Sequence, residues 1–114
     1  MNKKMLLVVA IELLAFGAAV GSARSAEDDL GQDTYNARCT SCHGRDGRAQ
    51  TEIGKKLKTK DLTQAELWKG LTDAAIEKQI VNGTADKSMP AYQGKLSAEE
   101  LAALVKYLRS FQPK

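Results

Sequence analysis

Cys39-Thr40-Ser41-Cys42-His43 constrains this chain more than any other stretch. Two thiols two residues apart, followed at once by an imidazole, form the spacing by which a c-type haem is attached covalently. Each thiol can bond one vinyl group on an edge of the porphyrin. The imidazole then lies under the ring and can bind the iron from one face. The chain contains two Cys and one His, and all three fall in this pentapeptide. Other uses of the same residues fit less well. A thioredoxin-like pair opens a helix after a strand in a βαβ unit, and no such pattern surrounds this one. A structural zinc site takes four ligands, and only three are available. A disulfide across two residues leaves His43 without a purpose.

With His43 on one face of the iron, the other face calls for Met, a second His or Lys. No second His exists. Met1 and Met5 fall in an N-terminal segment expected to be removed, which leaves Met89 in Ser88-Met89-Pro90-Ala91-Tyr92. A thioether is a soft, neutral ligand that favours ferrous iron and raises the reduction potential relative to a second imidazole. The competing use of Met89 is as a gap-filler in an apolar core. Its neighbours Lys87, Ser88 and Pro90 place it in a loop and not on an apolar helical face.

At 114 residues the chain holds one small domain. Residues 1–26 read as a secretory signal and 27–114 as the domain. Asn2-Lys3-Lys4 is the positive start, Met5 to Val20 the apolar run, and Gly21 to Ala26 the small-residue cleavage region. Glu12 and the short length of the run argue against a permanent membrane span, with an uncleaved anchor as the alternative. Export places the chain in the periplasm, where bacterial haem attachment takes place. Removal of 1–26 takes Lys3, Lys4, Arg24 and Glu12 with it and leaves a formal charge of +1. That gives no electrostatic basis for nucleic-acid binding. A domain this small has a thin core of its own, and a buried haem would supply apolar mass.

The remaining sequence predicts helices. Asp29 to Ala37 carries a weak stripe of Leu30, Thr34 and Ala37, with Gly31 and Tyr35 one turn apart beside it. Lys55 to Lys60 is the most basic stretch and reads as a solvated loop or as part of a docking surface. Gln64 to Lys69 suggests a short helix. Thr72 can cap a helix from Asp73, with Ile76 and Ile80 buried, and Asn82-Gly83 ends it. Thr84 to Lys95 is a loop. Ser97-Ala98-Glu99-Glu100 is a capping box, and Leu101, Leu104, Val105 and Leu108 follow the spacing of one buried face. No alternating strand pattern occurs, so the fold class is all-α.

From Leu30 to Gln112 the chain resembles class I cytochrome c of the small bacterial monohaem kind. The resemblance rests on Cys39-x-x-Cys42-His43-Gly44, on Gly31 with Tyr35, on Tyr107 in the last helix, and on Ser88-Met89-Pro90-Ala91-Tyr92. It implies about four helices wrapped around one covalent haem c, with Cys39, Cys42, His43 and Met89 as cofactor-binding residues and His43 and Met89 as iron ligands. It also implies that Gly31 lets the first and last helices cross closely, with Tyr107 packed at the crossing. Many relatives carry a Pro near Thr51-Glu52-Ile53-Gly54, a region that supplies a carbonyl to the other ring nitrogen of the His. This chain has no Pro there.

Both axial positions filled by side chains leave no open site for a substrate, which suits a one-electron carrier and not an enzyme. The partners implied are donor and acceptor redox proteins, membrane respiratory complexes among them, with no small-molecule substrate. The rivals are a haem-based sensor in which Met89 leaves for a gas, and a fixed electron-entry subunit of a larger complex. A peroxidase role lacks a distal acid–base group, since the chain has one His. Leu57, Leu62, Ile76, Ile80, Tyr92, Leu101 and Leu104 are expected around the haem, with Trp68 and Arg45 as candidate partners for a propionate.

Overall fold

The structure is a computed structural model that describes residues 24–114. The expected secretory signal lies outside the described residues except for Arg24, Ser25 and Ala26. Among the described residues every regular element is helical, as the all-α expectation requires. They are α1 (Ala26–Arg38), α2 (Thr40–His43), α3 (Glu52–Leu57), α4 (Ala65–Trp68), α5 (Asp73–Asn82), α6 (Ala98–Leu108) and a 3-10 turn over Arg109–Phe111. No helix among them is long and apolar enough to cross a membrane.

α1 begins a turn earlier than the apolar pattern predicts, because Ser25 caps it. The Asp28 amide donates to Ser25 Oγ (3.1 Å), and the Ser25 amide donates back to the Asp28 carboxylate (3.4 Å). Glu27, Asp28 and Asp29 in the first turn suit the positive end of the helix dipole. The buried face is Gly31, Thr34 and Tyr35. Ala37, expected on that stripe, is exposed; it follows Tyr35 by two residues and so lies about half a turn away from it.

α1 crosses α6 at Gly31. A Cβ there would collide with the Ala103 carbonyl and crowd Cβ of Tyr107. The expected close crossing is therefore real, and it allows the aromatic cluster that seals it. The Tyr35 ring lies 5.2 Å from both Tyr107 and Phe111, which themselves meet edge-to-face at 5.6 Å. α6 has its capping box, with Glu100 N to Ser97 Oγ and Ser97 N to Glu100 Oε1 both 3.0 Å. Its buried face is Ala103, Leu104, Val105 and Leu108, with Leu101 half-buried.

α5 starts on Thr72, whose hydroxyl accepts from the Ala75 amide (3.1 Å), and buries Ile76 and Ile80. α3 is a helix where the basic stretch suggested a loop. It forms because Thr51 caps it through the Gly54 amide (2.9 Å) and because it is pressed onto α2. The core that results is Tyr35, Leu62, Trp68, Ile76, Ile80, Leu104, Val105 and Leu108. Six of these eight also face a cavity.

Candidate haem-binding site

The cavity has a volume of about 400 Å³. Leu62, Leu67, Trp68, Leu71, Ile76, Ile80, Leu104 and Leu108 give it apolar walls, and Cys39, His43, Met89 and Tyr92 also line it. Both cysteines are free and half-buried. Burial, followed by the neighbouring Cys42, pushes the Cys39 thiol up to about 11, against the pull of Arg38. A thiol–disulfide nucleophile is activated by the opposite shift, so this setting does not suit a thioredoxin-like pair. Among the described residues no three His, Cys, Asp or Glu side chains gather as metal ligands, which leaves the zinc alternative without a donor set.

His43 ends α2. Its Nδ1 lies 3.0 Å from the Lys60 carbonyl oxygen, so Nδ1–H donates there and Nε2 keeps the free lone pair. Burial holds the imidazole below its ordinary pKa, and the carbonyl bond opposes that only in part. The neutral ring is the form that binds a metal. In the family that the chain resembles, the region matching Thr51–Gly54 supplies this acceptor; here the carbonyl belongs to Lys60. Thr51 and Gly54 act instead on the motif's main chain. Thr51 Oγ1 sits 2.7 Å from the Ser41 carbonyl and 3.0 Å from that of Cys42. A side chain at Gly54 would collide with the Cys42 carbonyl. On the other side, Tyr35 Oη donates to the Gly44 carbonyl at 2.6 Å in a buried position. The pentapeptide is thus gripped by α1 and α3.

Met89 sits in the loop after α5. Thr84 N donates to the Met89 carbonyl (3.0 Å), and the Met89 amide donates to Thr84 Oγ1 (2.9 Å). The Tyr92 and Gln93 amides continue the fastening to the Ile80 and Val81 carbonyls (3.0 and 3.1 Å), and Tyr92 Oη reaches the Arg38 carbonyl (2.9 Å).

Of the residues expected around the haem, Leu62, Ile76, Ile80, Tyr92 and Leu104 line the cavity. Leu57 does not; it is 38% exposed on α3. Leu101 packs against the core from outside. Trp68 is not available to a propionate, because its Nε1–H already donates to the Leu62 carbonyl (2.8 Å). Arg45 is exposed and away from the lining. Sequence reasoning missed Leu67, Leu71, Leu96 and Leu108, along with Arg38, Lys58 and Lys60 at the lining. These three cations are opposite in charge to a haem's two carboxylates. The donor set fits haem c: two thiols for the vinyl groups, one imidazole nitrogen already fixed, one thioether, and an apolar cavity between them.

The family model described as cytochrome C oxidase, cbb3-type, subunit III matches residues 26–108. The cbb3-type cytochrome c oxidase subunit FixP of Azorhizobium caulinodans is 33% identical over 82% of this chain, but over 30% of its own length. Chloroplastic cytochrome c6 of Chlamydomonas reinhardtii is 34% identical over 90% of this chain and 66% of its own, and cytochrome c6 of Euglena gracilis 36% identical over 68% and 85%. This chain thus spans under a third of FixP and just under two thirds of the Chlamydomonas protein. Among solved structures, the KustC0563 c-type cytochrome superposes with a TM-score of 0.66 at 35% identity, covering 73% of this chain and 98% of that one.

Proposed function

Since this chain belongs to the cytochrome c family, we propose that its haem c is bonded through Cys39 and Cys42 and held axially by His43 and Met89, in a one-electron carrier exported to the periplasm after loss of residues 1–26. One observation carries this reading. The chain's single His, Cys39 and the one Met of the described residues line the same apolar cavity, and Cys42 directly precedes that His in the chain. The haem supplies an iron that exchanges one electron. The chain's residues do the rest. The Lys60 carbonyl orients the imidazole, Thr84 fixes both peptide groups of Met89, and the leucine and isoleucine walls exclude water.

The partners are redox proteins, and α3 is the face that suits an acidic one. Ile53 (49% exposed) and Leu57 lie one turn apart on it, with Lys55, Lys56, Lys58 and Lys60 alongside. α3 rests directly on the attachment motif, so a partner seated there sits close to the haem edge. A second reading, a fixed subunit of an oxidase, is favoured by the match to the cbb3 subunit model and to FixP. Co-purification with a membrane complex separates it from a diffusing carrier.

The test is an optical spectrum of the haem-loaded protein, oxidised, reduced, and reduced with CO, beside Met89→Ala. A low-spin spectrum indifferent to CO, turning high-spin and CO-reactive in Met89→Ala, supports the reading. A native low-spin spectrum in Met89→Ala would falsify the ligand assignment.

A further inference from the structure

We propose that Thr84 and Asp86 form a hydrogen-bonded clamp that positions Met89 and keeps its thioether on the iron. The proposal rests on the reading of Met89 as an axial ligand. Met89 lies in no helix, so its position depends on the loop's own bonds, and one residue makes both main-chain bonds to it. The Met89 amide donates to Thr84 Oγ1 (2.9 Å), and the Thr84 amide donates to the Met89 carbonyl (3.0 Å).

A hydroxyl has one proton, and its direction decides whether Thr84 can serve Met89. Asp86 settles that direction. Asp86 Oδ1 lies 2.7 Å from Thr84 Oγ1 and takes the Thr84 proton, which leaves an oxygen lone pair for the Met89 amide. The same carboxylate oxygen accepts from Ser88 Oγ (2.7 Å) and from the Ser88 amide (3.0 Å). The residue before Met89 is thereby tied to the same atom. Gly83 completes the arrangement. With φ at +66° it brings the end of α5 so close that a Cβ would press on the Met89 carbonyl. Thr84, Ser88 and Met89 line the cavity, while Asp86 is exposed. The network thus runs from solvent to the proposed ligand.

Thr84→Val keeps the shape and removes the hydroxyl. The Met89 amide then loses its acceptor, and Met89 leaves the iron more often. For the full haem-loaded chain in the ferrous state, CO binding should speed up on the order of five- to tenfold, the factor that one net hydrogen bond supplies. The Met-to-ferric-iron band in the far red should weaken in step, with helical content unchanged. Asp86→Ala should move both readouts in the same direction by less, because the Thr84 hydroxyl stays but is free to turn. Thr84→Ser keeps the hydroxyl and should behave as the parent. Wild-type rates in Thr84→Val, or equal loss in Thr84→Ser, overturn the clamp.

Met89→Ala separates the two claims. If it opens the iron to CO and Thr84→Val does not, only the clamp fails. If it changes nothing, the ligand reading fails and the clamp with it. Should Thr84→Val not hold haem, the unmodified protein still gives an answer. Its Met89 amide should exchange hydrogen at least about tenfold more slowly than in an unfolded peptide. Exchange at the unfolded rate overturns the proposal.

Discussion

Two stretches of the cavity wall, one at His43 and one at Met89, are built by different physics. The His43 wall is a packed one. α3 lies so close that Gly54 has no room for a side chain, Tyr35 donates from full burial, and Thr51 bonds the motif's main chain. The Met89 wall is a hydrogen-bonded loop, half-buried and tied down by Thr84, Asp86 and Tyr92. Packed contacts are nearly all-or-none, since interiors do not deform continuously. Exposed loops held by hydrogen bonds open locally at much lower cost. The same cofactor site therefore has a fixed side and an adjustable side.

The contrast is broken most directly at Gly54. Gly54→Ala drives a Cβ into the Cys42 and Ala49 carbonyls, which are main chain and cannot swing aside. A loss on the order of 3 kcal/mol is expected, read as a lowered denaturation midpoint in the haem-loaded protein. A neutral result would mean that α3 does not grip the motif.

A pair of tyrosines sharpens it. Tyr35→Phe leaves the buried Gly44 carbonyl without its 2.6 Å donor and should cost about 2 kcal/mol. Tyr92→Phe removes a bond to the Arg38 carbonyl in a half-buried position, where water can replace it, and should cost about 0.5 kcal/mol. Denaturant titration of both variants checks the order, and reversed costs would overturn the two-wall picture.

The smallest effect is titratable. Hydrogen bonds from Ser88, and then from Thr84, hold the Asp86 carboxyl down at about 2 from its ordinary 3.8. A depressed carboxylate stabilises its surroundings fully above the ordinary value, and that contribution fades as pH falls toward the folded value. The Met89 loop should therefore loosen between about pH 4 and pH 2 and at no higher pH. CO binding to the ferrous protein, followed against pH, reads this out. An onset near pH 6, or the same profile in Asp86→Asn, would show that another group governs the loop.

Legibility in the sequence followed the same division. α5 and α6 could be read because their caps and apolar spacings are local: Thr72, Asn82-Gly83, Ser97 with Glu100, and the Leu101-to-Leu108 stripe. α3 could not, since Lys55, Lys56 and Lys58 mask any stripe and the helix depends on contact with Cys42. The early start of α1 was hidden because Asp28 closes the capping box where Glu or Gln is usual. In the site, side-chain chemistry singled out Cys39, Cys42, His43 and Met89; Cys39, His43 and Met89 line one cavity, and Cys42 is half-buried beside them in the motif without lining it. The acceptor for His43, the Lys60 carbonyl, could not be assigned because a main-chain carbonyl carries no residue-type signal. Trp68 was a candidate for a propionate on residue type alone, and its donor turned out to be spent on Leu62.

Lys60 shows what a main-chain contact does for a lineage. Its carbonyl holds the imidazole, while the residue as a whole is exposed. The two tasks are written in different atoms of one residue. Selection can rewrite the side chain to suit a new partner, from cation to neutral to anion, and the imidazole keeps its acceptor throughout. Partner choice and the electronic setting of the site can therefore evolve independently at this position.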